Sequence, residues 1–292
     1  MKSKTFVPVL LCAVVSALVI TCGCTAPMQT AQGKQLTVFA AASLTDAFTE
    51  LGQNYHANHT DVNVSFNFDG SQVLQTQIEN GAYADVFASA DMGHMNALKN
   101  EGYMNNSTVN VFAQNRLQVI IPKDNPGNIT SVSDLAKPGL KIVIGTQAVP
   151  VGNYTLQVLA KMANDTAYGP DYRNKVMSNV VSQETNVNNV VTKVTLGEAD
   201  AGFVYQSDVP LKQMAQVDRI IIPDKYNVVA QYPIGVLKQS KDPVLAQDFI
   251  NYVYSPAGQA ILQKYGFIIP QGSTSQQATM AGVTSPRITA MT

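Results

Sequence analysis

The chain has 292 residues, with 19 Lys and Arg set against 20 Asp and Glu, so its formal net charge is −1 and only 13% of it is charged. That balance offers no basic field for nucleic acid and no acidic tail. The three cysteines, Cys12, Cys22 and Cys24, all fall within the first 24 residues, which excludes disulfides, thiolate metal sites and cysteine nucleophiles from the rest of the chain.

The chain opens Met1-Lys2-Ser3-Lys4, continues with a mostly apolar run over residues 6–20, and reaches Thr21-Cys22-Gly23-Cys24: a positive start, an apolar middle and small residues before a cysteine, the pattern of an export signal. Gly23-Cys24 resembles a lipobox, which implies cleavage after residue 23 and lipid on the Cys24 sulfur, with Cys22 a second candidate and an ordinary secretory peptide or an uncleaved anchor the alternatives. Residues 24–35 are polar and unpatterned, a tether. No second apolar segment of spanning length follows, so the remainder is expected outside the membrane and held near it.

Residues 36–39 (LTVF) predict a buried strand, the alanines at 40–42 a joint with little side-chain bulk, and Leu44, Ala47, Phe48, Leu51 and Tyr55 the apolar face of a helix. Ser43 falls where an N-cap belongs. A helix start carries unpaired N–H groups and the positive end of a dipole, so a hydroxyl there either caps the helix or joins those groups in holding an anion. His56 and His59, three apart near the end of this helix, suggest solvated surface residues rather than a zinc pair, because no further His or Cys cluster completes a shell. The joint then recurs. Val62, Val64 and Phe66 alternate, and FDGSQVL leads through Ser71 into a helix that stops near Gly81.

Residues 84–91 predict a third strand, followed by a helix with Met95 and Leu98 inward and Gly102 as its stop. Two extended runs, 109–113 and 116–122, precede turn chemistry at 123–130 and a short helix from Ser131 to Pro138-Gly139. A crossing into a second domain is placed near residue 116. Residues 141–145 form the next strand, and the turn AVPVGNYT opens a helix at which Val151 and Gly152 offer backbone amides. A brief strand at 179–182 leads to a helix with Val187, Val190, Val191 and Val194 inward, capped by Thr185 or Asn186. Residues 197–208 return to a strand with Tyr205 at its end. After a strand at 219–223 the chain recrosses between 224 and 232, and helices follow from 243 and from 255. The polar tail, 271–292, is expected to be partly disordered.

Strands alternating with helices imply mostly parallel α/β sheets, whose ligands sit beyond the carboxyl ends of the strands. Helix starts near Ser43, Ser71, Val151 and Val187, joined by Tyr205, are neutral donors, so the expected guest is a compact anion that accepts many hydrogen bonds. An enzyme reading would make Ser71 a nucleophile with His94 as base and Asp91 as orienter, but the flanking sequence lacks G-x-S-x-G.

The segments TVFAAASLTDAF, FDGSQVLQTQIENGAYADVFASAD, AVPVGNYT, GEADAGFVYQSDV and SPAGQAILQKYGF, in this order over residues 36–268, resemble the periplasmic molybdate-binding proteins of ABC importers. The resemblance implies a two-lobed, hinged periplasmic-binding-protein fold of type II, with residues 36–115 and 227–270 in lobe 1 and 116–226 in lobe 2. It implies a molybdate or tungstate ligand held by Ser43 and Ser71 hydroxyls, Val151 and Val187 amides and the Tyr205 phenol, with no protein atom on the metal. It further implies no catalysis, no cofactor, a monomer, and delivery to a membrane permease and its ATPase. A tungstate-selective branch adds two carboxylates where this chain has Val149 and Val204, which favours four-coordinate binding. Sulfate or phosphate is the alternative cargo.

Overall fold

The computed structural model describes residues 33–209 and 211–271, so the export signal, Cys22, Cys24, most of the tether and the tail from 272 onward lie outside the described residues. The described elements are β1 (Lys34–Ala41), α1 (Thr45–Asn58), β2 (Val62–Asp69), α2 (Ser71–Glu79), β3 (Val86–Ala88), α3 (Met92–Asn100), β4 (Asn110–Pro122), β5 (Ile142–Gly145), α4 (Pro150–Ala163), α5 (Tyr172–Ser178), β6 (Val180–Glu184), α6 (Val187–Thr195), β7 (Ala201–Tyr205), β8 (Val217–Ile221), β9 (Val229–Val236), α7 (Pro243–Tyr254) and α8 (Pro256–Lys264). None of the described helices is long and apolar enough to cross a membrane.

The strands run in the order β2-β1-β3-β9-β4-β7-β5-β6, with β8 paired to β4. Parallel pairs lie within each half: β1 with β2 and β3, β5 with β6 and β7. The antiparallel pairs are made by β4 and β9, the strands that join the halves. Through Arg116 strand β4 pairs with β9; from Leu117 onward it pairs with β7, and from Gln118 with β8 as well. Two lobes result, one built on each side of that switch. Asn227 braces it, accepting from the Leu117 amide at 3.0 Å and donating to the Leu117 carbonyl at 2.8 Å.

Period-two alternation sorts side chains onto the two faces of the first sheet. Leu36, Val38, Ala40, Val86 and Ala88 face the cluster holding Phe48, Leu51, Tyr55 and Phe249 from α1 and α7, whereas Phe39 and Phe87 face Leu74, Ile78, Met95 and Leu98 from α2 and α3. Each fully buried Leu or Phe of this kind contributes about 1.5–3 kcal/mol, and Phe48 packs against both Phe112 and Phe249 at centroid distances of 5.6 and 6.3 Å.

Four local expectations change. Strand β1 starts at Lys34, inside the expected tether, because Lys34 and Gln35 find partners at Val62 and Asn63. The two runs at 109–113 and 116–122 are one strand; Asn115 breaks the apolar pattern yet is fully buried, since its Oδ1 accepts from the Arg116 amide and its Nδ2 donates to Ser207 Oγ. Helix α5 was not expected between 163 and 179, where only Tyr172 and Val176 turn inward and mark too short an apolar stripe to read. Ser43 is not an N-cap: it lies inside a single 3-10 turn, Ala42–Leu44, that precedes α1, and neither that turn nor α1 has a side-chain cap.

Candidate functional site

The carboxyl ends of β1 and β2 deliver Ala41, Ala42, Ser43, Gly70 and Ser71 to one wall of a small cavity, with Ala90 beside them, and the ends of β5, β6 and β7 deliver Val149, Pro150, Val151, Val187 and Tyr205 to the opposite wall. All five predicted residues, Ser43, Ser71, Val151, Val187 and Tyr205, therefore line the same space. Even with open solvent included, its empty volume is only about 210 Å³. Any guest held between these walls is compact. No lysine, arginine, aspartate or glutamate is among the lining residues. Val149 lines the cavity with an alkyl group and Val204 is buried within β7, so neither position supplies a carboxylate.

Donors dominate the walls. Helix α2 begins at Ser71 after Gly70, and α4 begins at Pro150 after Val149; neither N-terminus has a side-chain cap, and since the Val73 amide turns to the Gly70 carbonyl and Pro150 has no N–H, the amides offered are those of Ser71 and Gln72 in α2 and of Val151 and Gly152 in α4. At α6 the cap Asn186 takes the Asn189 amide, leaving that of Val187. The positive ends of these three helix dipoles thus point at the cavity.

The hydroxyls follow the same logic. Ser71 Oγ accepts from the Ala90 amide at 3.0 Å, and because an amide only donates there, the Ser71 proton stays available. Tyr205 Oη is buried without a hydrogen-bond partner. An unpaired buried donor costs on the order of 1–3 kcal/mol, which a bound acceptor relieves. Burial raises the Tyr205 pKa well above the ordinary phenol value, with neighbouring Tyr232 and Tyr154 acting in the same direction, so the group remains a donor across the neutral range. Ser43 Oγ lies 3.0 Å from Tyr232 Oη.

Two glycines make the approach possible. A Cβ on Gly152 would stand 2.0 Å from the Thr146 carbonyl oxygen, and one on Gly70 would stand 2.5 Å from the Thr185 carbonyl oxygen across the cleft. Three side chains also bridge the cleft: Gln72 donates to the Thr185 carbonyl at 2.7 Å, Asn186 to Asp69 at 3.1 Å and Asn188 to Thr45 at 3.3 Å.

Of the hydrolase arrangement the structure brings together His94 and Asp91, at 2.8 Å, with Asp91 also capping α3. Ser71 Oγ instead accepts from the Ala90 amide, and His94 is not among the residues that line the cavity. His56 and His59 also turn to separate partners, the Val62 and Tyr55 carbonyls.

A family model for bacterial extracellular solute-binding proteins matches residues 36–268. The chain belongs to that family. This solute-binding protein is 38% identical over 266 residues to the molybdate-binding protein ModA of Mycobacterium tuberculosis, covering 89% of this chain and 97% of the relative, which makes it ModA-like. Its fold resembles the substrate-binding domain of a putative molybdenum ABC transporter from Clostridium difficile, at 28% identity and a TM-score of 0.62 over 82% of this chain and 100% of that one. It also resembles the periplasmic molybdate-binding protein of Azotobacter vinelandii, at 23% identity and a TM-score of 0.71 over 81% and 100%, a likeness of fold.

Behind the cavity of this solute-binding protein lie groups that sequence reasoning missed: Tyr232, Asn115 and Asp208, all buried. Asp208 Oδ2 accepts from the Tyr205 amide at 2.6 Å, while Oδ1 has no partner. Burial raises its pKa well above the ordinary carboxylate value, outweighing the amide bond. Because the folded pKa exceeds the unfolded one, the wild type loses stability as pH rises past the unfolded value of about 3.9. Asp208→Asn is accordingly expected to melt higher than wild type at pH 7, the gap closing as pH falls toward 4; thermal melts across that range check it.

Proposed function

We propose that this solute-binding protein captures molybdate, and tungstate of nearly the same size, between its two lobes and delivers it to an ABC permease driven by an ATPase. Ser43, Ser71 and Tyr205 act as hydroxyl donors, and Val151 and Val187 as amide donors, toward the oxygens of the anion, with no protein atom on the metal. Residues 36–115 and 227–270 act as one lobe and 116–226 as the other. The protein works as an exported monomer held to the membrane by lipid on Cys24, and it binds rather than transforms its cargo.

One observation carries this reading: a small cavity is ringed by three helix starts, two of them without side-chain caps, and an unpartnered phenol, and no charged side chain lines it. A dianion placed among fixed donors exchanges its hydration shell for aimed dipoles, and with no carboxylate among the lining residues it meets no competing negative charge there. The ModA-like relatives support molybdate over other oxyanions. Sulfate has shorter bonds to oxygen and under-fills a ring of donors fitted to the larger ion, each lost charge-assisted bond costing about 1.5–3 kcal/mol.

Calorimetric titration of the protein with molybdate, tungstate, sulfate and hydrogen phosphate tests the reading. The first two are expected to bind with similar affinity, and sulfate at least about a hundredfold more weakly if two such bonds fail. Equal or tighter binding of sulfate or phosphate would replace the assigned cargo.

A further inference from the structure

Ser71 is held as a donor by an amide that can only give its proton, but the neighbour of Ser43 is a phenol, which can give or take. We propose that Tyr232 is a positioning residue that donates to Ser43 Oγ and thereby turns the Ser43 proton into the cavity. This role rests on the anion-binding reading above. Tyr232 is fully buried in β9, 3.0 Å from Ser43 Oγ, with its ring edge-on to Tyr205 at 5.7 Å and to Phe267 at 5.3 Å. It therefore touches a donor on each wall of the cleft without lining the cavity itself.

The direction of the bond follows from what each hydroxyl can reach. Tyr232 Oη is fully buried, and Ser43 Oγ is the hydrogen-bond partner the structure gives it. A buried phenol proton without an acceptor is costly, whereas Ser43 also lines the cavity and keeps a second direction for its own proton. The phenol therefore donates to Ser43, which accepts on a lone pair and turns its proton toward the guest. Were the order reversed, Ser43 would spend its proton on Tyr232 and turn lone pairs toward an anion, converting an attraction into a repulsion.

A thermodynamic cycle separates this role from mere packing. Tyr232→Phe keeps the ring and removes only the hydroxyl. In the Ser43 background it is expected to raise the molybdate Kd about tenfold or more; in the Ser43→Ala background it is expected to change Kd less than twofold, because there is no proton left to orient. An equal penalty in both backgrounds, or no penalty beside Ser43, overturns the proposal. Tyr232→Met, which also lacks the hydroxyl, gives a second cycle with the same expected pattern should Tyr232→Phe fold poorly, and penalties independent of Ser43 there overturn it likewise. Failure of the unaltered protein to bind molybdate at all would sink the cargo assignment itself, an outcome distinct from a cycle that closes without coupling.

Discussion

Replacing Ser43 and Ser71 together by alanine is expected to weaken molybdate binding by about 3–6 kcal/mol, two charge-assisted hydrogen bonds at roughly 1.5–3 kcal/mol each, which is about 10²- to 10⁴-fold in Kd. The serines approach from the ends of β1 and β2, so the pair removes both side-chain hydroxyls on one wall and leaves the amides and Tyr205 in place. Folding should suffer less than binding. Ser71→Ala leaves the Ala90 amide without its acceptor and Ser43→Ala leaves Tyr232 without its neighbour, each a single bond within a large core. Calorimetry of the double variant beside each single one measures the effect, and an unchanged affinity would remove these serines from the site.

Gly70→Ala is expected to act on closure rather than on folding. The Gly70 backbone has φ −57° and ψ 139°, which alanine adopts without strain. The added methyl would meet Gln72, a flexible side chain that can move away, and the Thr185 carbonyl oxygen at 2.5 Å, a backbone atom of the opposite wall that cannot move without the lobe. Overpacking of this kind typically costs about 1–3 kcal/mol, here charged to the closed form alone. Molybdate should therefore bind about 5- to 150-fold more weakly, while the melting temperature without anion stays near that of the wild type. Small-angle scattering with saturating anion would show a less compact particle. A variant that melts much lower without ligand, or binds as tightly as wild type, contradicts this assignment of Gly70.

Much of the candidate site was legible because all of its predicted residues but Tyr205 sit at a strand-to-helix joint, and such joints have local signatures. Small residues after a short β-branched run, then an apolar stripe at helical spacing, mark a place where amides emerge. Two of those joints carried serine, one carried Val151 and Gly152, and the strand at 201–205 ended in tyrosine. The layer behind them had no such mark. Tyr232 lies in a strand whose sequence resembles any buried strand, Asp208 follows β7 by three residues, and Asn115 looked like a break between two strands. Tyr232 and Asn115 bond partners 189 and 92 positions away in the chain, a range no periodicity encodes, and Asp208, though only three residues from the amide it accepts, carries no mark of that turn in its neighbours. Family likeness, not composition or spacing, carried the reading from a compact anion to molybdate.

By itself the sequence determined the alternation of strands and helices, the joints that offer donors, the lack of thiol chemistry beyond Cys24 and the uncharged character of the turns, because each depends on a few adjacent residues. Only the tertiary structure decided that β4 is a single strand shared by both lobes, that Ser43 sits inside a 3-10 turn instead of capping a helix, and that Ser71 is left with a free proton. The physical reason is that a hydroxyl, unlike a helix amide, has no fixed direction. Which way it points is settled by the neighbour that folding brings beside it, and here that neighbour comes from elsewhere in the chain.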